Sequence, residues 1–112
     1  MIIAGSTVIL HLQNPREKLW GVMLAINQFG ITLRGIDVYS FDDWTRSVAN
    51  QGESIIGLST IFVPMMRVEK VVLDETSGAY KSLSEQFKER VGHDVIDFMD
   101  LPDNLEDPGI LN

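Results

Sequence analysis

Arg34 and Arg67 each carry the planar fork that grips phosphate. Each also has a carboxylate close by in the chain, Asp37 and Glu69 respectively. Two readings follow for both arginines, a phosphate contact or an ion pair. Met65 and Met66 stand side by side. Methionine adapts to irregular apolar surfaces, so this pair either lines a ligand mouth or fills core and interface. Tyr39, Phe41 and Trp44 interleave with polar residues ahead of Arg46. They form a stacking platform for nucleic acid or peptide, or a loop folded over the body of the domain. His11 and His93 are the only histidines, and neither has an acidic or cysteine partner at ligand spacing, so no metal site is expected. Asp42-Asp43 suits a helix start better than a catalytic pair. No nucleophile elbow or Ser/His/Asp order is visible, and cysteine is absent. The residues point away from an enzyme and imply no cofactor.

These residues need elements to position them. The central stretch is Leu19 to Leu33, LWGVMLAINQFGITL. Two apolar runs flank the short Asn27-Gln28 connection, the pattern of a β-hairpin. Val8 to Leu12 is a first strand, ended by a turn at Asn14-Pro15. Lys18 to Ile26 and Phe29 to Val38 are the second and third strands. Gly21 and Gly35 mark bends. Tyr39 to Gly52 is a long polar connection holding a helical turn, with Asp42 or Asp43 as its cap. Glu53 to Val63 is the fourth strand, ended by Pro64, and Met65 to Leu73 is the fifth. Ala79 to Val91 is helical, with Tyr80, Leu83, Phe87 and Val91 on one stripe, Ser77 as N-cap and Gly92 as stop. His93 to Leu101 is a short helix or docking segment. Five short, bent antiparallel strands predict a small closed or nearly closed barrel. The chain therefore divides into a barrel over 1–75, a helical extension over 76–101 and an acidic tail over 102–112.

The 112 residues suit one domain, and 45% apolar content allows a modest core. The net charge of −7 is unevenly placed. Residues 1–73 carry six basic and six acidic side chains; residues 74–112 carry three and ten. Neither half has the basic footprint of a strong phosphate-backbone binder. No stretch reaches the roughly 18 apolar residues of a membrane span, and the apolar N-terminus lacks a basic n-region. A cytoplasmic location without membrane contact is expected.

Leu19-x-Gly21-x-Met23-x-x-Ile26-Asn27-Gln28-Phe29-x-Ile31-x-Leu33 resembles the first signature of the Sm-like superfamily, closest to bacterial Hfq-like proteins. Val8-x-Leu10-x-Leu12 is similar to the strand before it, and Val63-Pro64-Met65-Met66-x-Val68 occupies the place of the second signature. The resemblance implies a strongly bent five-stranded antiparallel Sm-like barrel. It implies a homo-oligomeric ring, hexamer or heptamer, in which the fourth strand of one subunit pairs with the fifth of its neighbour. It implies single-stranded RNA as ligand, with no DNA specificity. Phe29 would stack on a base while Gln28 and Asn27 hydrogen-bond its edge. Arg34, Met65, Met66 and Arg67 would complete the site. Pro64-Met65-Met66 stands where the Hfq-like pattern has Tyr-Lys-His, which replaces a cation and an imidazole by apolar groups. That departure motivates the alternative, a ring-shaped protein-interaction scaffold that has lost the uridine pocket.

Overall fold

The structure, a computed structural model, describes residues 1–51 and 57–102. Five strands, β1 (Thr7–Leu12), β2 (Glu17–Asn27), β3 (Gly30–Asp37), β4 (Ser59–Pro64) and β5 (Val68–Leu73), form one sheet in the order β4-β3-β2-β1-β5. Every neighbouring pair is antiparallel. Two α-helices, α1 (Phe41–Gln51) and α2 (Leu83–Val91), are joined by short 3-10 helices at Val38–Ser40, Met65–Arg67 and Val95–Phe98.

The sheet curls but does not close. In a flat sheet the outermost of five strands lie roughly 19 Å apart, four spacings of about 4.8 Å. Here those strands are β4 and β5, and only Met65–Arg67 connects them. Three 3-10 residues advance about 6 Å, so the sheet edges must approach each other at that end. No β4–β5 ladder forms among the described residues, and of the expected closed or nearly closed barrel the closed form is corrected to an open, curled sheet. The physical cause lies at the connection. Pro64 has no N–H to extend the ladder, and the 3-10 turn delivers the chain to β1, where Val71 pairs with Leu10.

A glycine pair permits the curl. Gly21 and Gly35 face each other across β2 and β3. A Cβ at Gly35 would stand 2.0 Å from the Trp20 carbonyl oxygen, and one at Gly21 2.3 Å from that of Arg34. Only glycine allows so close a backbone approach.

Alternation divides the apolar residues between two cores. On the concave face, Val8, Leu10, Leu12, Leu19, Met23, Ile31, Leu33 and Val63 pack together, drawn from four strands, with Val71 and Leu73 of β5 against them. On the convex face, Trp20, Val22 and Ile36 meet Phe41, Trp44 and Val48 of α1, Phe87 of α2, and Val95 and Met99 from the C-terminal turn. An aromatic chain runs through it: Trp20 meets Phe41 edge-on at 4.7 Å, and Trp44 stacks on Phe87 at 5.1 Å. The helical extension thus shares a core with the sheet.

Several boundaries differ from expectation. The connection after β3 holds an 11-residue helix rather than a single turn. Asp42 and Asp43 lie inside its first turn and pair with Arg46 instead of capping it. β4 begins at Ser59, and the expected strand residues 53–56 lie outside the described residues. Met65 and Met66 form the 3-10 turn, and β5 starts at Val68. α2 starts at Leu83, not Ala79, and Tyr80 is exposed. Its cap is Ser82, whose Oγ accepts from the Glu85 N–H at 3.0 Å. Gly92 ends the helix in the left-handed region as expected, at φ 87°. Of the acidic stretch 102–112, residues 103–112 lie outside the described residues.

Candidate functional site at the loop end of the sheet

The β2–β3 hairpin closes through Gln28 and Phe29, with Asn27 opposite Gly30. Asn27 Oδ1 accepts from the Phe29 N–H at 2.8 Å, an Asx turn that shapes the connection from its own sequence. The Phe29 carbonyl then accepts from the Met65 N–H at 2.9 Å. That bond places the β2–β3 turn beside the Met65–Arg67 turn. Gly30 makes the approach possible, because a Cβ there would lie 2.2 Å from the Val63 carbonyl oxygen.

The same 3-10 turn reaches the β1–β2 connection. The Gln13 N–H donates to the Arg67 carbonyl at 2.8 Å, and Gln13 Nε2 to the Met66 carbonyl at 3.1 Å. Arg67 returns bonds from Nε to the Gln13 carbonyl at 3.2 Å, and from Nη2 to the Pro15 carbonyl and Glu17 Oε2, both at 2.8 Å. The Met65–Arg67 turn, which follows β4, therefore bonds to the connections at both ends of β2.

Six of the expected site residues lie on these connections. Phe29 is 70% exposed and Met66 82%. Asn27 and Gln28 are exposed beside them, and Met65 packs partly against the concave core. Arg67 belongs to the cluster by position, but its guanidinium is engaged by two carbonyls and a carboxylate. Its ion-pair partner is Glu17, not the neighbouring Glu69. Arg34 lies elsewhere, on the convex face. Its Nε donates to the Met99 carbonyl at 2.9 Å, its Nη1 to the Leu58 carbonyl at 3.3 Å, and its carboxylate neighbour is Asp100 at 3.9 Å rather than Asp37. Arg34 ties the C-terminal turn to the start of β4. The loop end is thus an apolar surface rimmed by side-chain amides.

The aromatic connection resolves into packing. Phe41 and Trp44 are buried, Arg46 pairs with Asp42 and Asp43 on the outside, and only Tyr39 projects. A cleft of about 370 Å³ lies between α1 and α2. Its charged groups are paired: Arg90 Nη1 donates to Asp42 Oδ1 at 3.0 Å, and Glu89 takes a bond from Lys81. Among the described residues, no group of three or more His, Asp or Glu side chains is placed to hold a metal, and no helix is long and apolar enough to cross a membrane.

Sequence reasoning missed Asp74, read as part of a loop. It fastens β5, Trp20 and α2 together. Its acidic side chain nine residues before the helix start was the one available signal, and it is ambiguous without the fold.

No family model, curated protein or solved structure matches this chain.

Proposed function

We propose that this chain is a subunit of an Sm-like ring that serves as a protein-interaction scaffold. The observation that carries the assembly is the strand order. The two edge strands are β4 and β5, the two that the resemblance expects to pair between subunits. They match in length at six residues each. Open edges are templates for pairing, and Phe62 on β4 is 55% exposed while Val72 on β5 is also exposed. Energetics require both features. About six backbone hydrogen bonds contribute roughly 3–9 kcal/mol net, against an association cost of about 4–15 kcal/mol. Burial of Phe62 and Val72 supplies the rest, at about 1.5–3 kcal/mol for a whole large side chain.

The scaffold role rests on the loop end. Phe29 and Met66 offer apolar area, and the two arginines that would neutralise RNA phosphates are both engaged. Aromatic residues and methionine are enriched in protein contacts. A second reading, single-stranded RNA binding, is favoured by the exposed Phe29 ring beside the Asn27 and Gln28 amides.

Light scattering after size exclusion tests the ring, which has the mass of a hexamer or heptamer of the 12.6 kDa chain. A monomer overturns it. Fluorescence anisotropy with short uridine- and adenosine-rich RNA at two salt concentrations tests the surface. The scaffold gives no binding at micromolar protein. Binding that is lost in Phe29→Ala moves the assignment to RNA.

A further inference from the structure

Lys18, His11 and Lys70 occupy one row across β2, β1 and β5, since His11 is the direct register partner of both lysines. Direct partners share a face, with Cβ atoms about 4.5–5.5 Å apart, and like charges placed so destabilise a sheet. A chain of net charge −7 has carboxylates to relieve such a row. Elsewhere it uses them: Arg34, Arg46, Arg67, Lys81 and Arg90 all have carboxylate partners. Lys18, Lys70 and nearby Arg16 have none among the described residues, and neither does Lys88, which stands apart on α2.

The row borders a concavity. A cleft of about 240 Å³ is lined by His11, Leu12, Arg16, Glu17, Lys18, Tyr39 and Glu69. Of its two carboxylates, Glu17 is neutralised by Arg67 at 2.8 Å, which leaves Glu69 against Arg16 and Lys18 in the lining, with Lys70 next in the row beside His11. Tyr39 lines the cleft while 82% exposed, offering an aromatic face. Burial, then Lys70 and Lys18, hold the His11 pKa below its ordinary value against the opposing pull of Glu69. The local field is therefore positive within an acidic protein.

We infer that this cleft binds a nucleoside monophosphate, with its phosphate held by Arg16, Lys18 and Lys70 and its base stacked on Tyr39. Charge-assisted hydrogen bonds to phosphate are the strong ones, and an aromatic ring stacks any base. The volume suits one phosphate and one ring system rather than a chain of nucleotides. An unrelieved cationic row is a local cost that a bound dianion removes. The site uses none of Asn27, Gln28, Phe29, Met65 or Met66, and Lys70 places it beside the β5 edge.

NMR titration of the full-length protein with AMP, inorganic phosphate and adenosine tests it. AMP gives saturable shifts at His11, Lys18, Tyr39 and Lys70; inorganic phosphate moves the same row more weakly; adenosine moves none. In the Lys18→Gln/Lys70→Gln variant, binding of AMP weakens by about tenfold or more. Both positions are exposed, so the fold is kept. Tyr39→Ala weakens AMP but not inorganic phosphate. Absence of saturable shifts, or affinity unchanged in the double variant, overturns the proposal. Tighter binding of a 5′-phosphorylated oligoadenylate than of AMP overturns the mononucleotide assignment in favour of an RNA end.

Discussion

Replacing Asp74 by alanine removes one carboxylate and four hydrogen bonds. Its Oδ2 accepts from Trp20 Nε1 at 3.0 Å, from the Ser84 N–H at 2.9 Å and from Ser84 Oγ at 2.7 Å; its Oδ1 accepts from the Leu83 N–H at 2.8 Å. Leu83 and Ser84 open α2, where backbone N–H groups have no partner within the helix. Losing such a cap costs about 1 kcal/mol. Trp20 is fully buried, and its indole N–H left without a partner costs about 1–3 kcal/mol more. The expected loss is roughly 2–4 kcal/mol, a large share of the stability of a small domain. Urea denaturation, followed by tryptophan fluorescence and circular dichroism, measures it. With a slope of about 1.5 kcal/mol/M, the midpoint falls by roughly 1.3–2.7 M. Asp74→Asn retains one acceptor oxygen and lies between alanine and the parent. The Trp20 indole proton, slow to exchange in the parent, exchanges faster in Asp74→Ala. A loss below about 0.5 kcal/mol, the scale of an ordinary surface substitution, refutes the view that this carboxylate fastens α2 to the sheet.

Two further outcomes follow from the same structure. Gly35→Ala drives a Cβ to 2.0 Å from the Trp20 carbonyl oxygen, and urea denaturation records a loss of about 3 kcal/mol or more as β2 and β3 are forced apart. His11 titrates, by NMR of its ring protons, below the ordinary value of about 6.5. Because its folded value lies below the unfolded one, its contribution to stability is present above pH ~6.5 and lost as the pH falls through the folded value. His11→Gln flattens that loss, and Lys18→Gln with Lys70→Gln moves the His11 midpoint upward.

The sequence by itself determined what is local. Apolar runs bounded by turn residues placed β1, β2 and β3 within a residue or so of their observed ends, because buried strands are short apolar segments cut by residues that turn the chain. Asn27 shapes its own turn through its side chain, and Gly92 stops α2 through its backbone freedom. The loop-end cluster of Asn27, Gln28, Phe29, Met65 and Met66 was also legible, from the resemblance rather than from periodicity. Tertiary structure decided the rest. That β5 pairs with β1 and leaves β4 as the other edge depends on the curl, which the Gly21–Gly35 contact between β2 and β3 permits. Arg67 takes Glu17 rather than the nearer Glu69, because register sets distance in a sheet and sequence separation does not. His11 opposite Lys18 follows from a hairpin centred on Asn14-Pro15, but Lys70 joins the row only through the non-local β1–β5 ladder. Local chemistry chose the strands and turns. Long-range pairing chose which charges meet, because only the register between distant strands sets those distances.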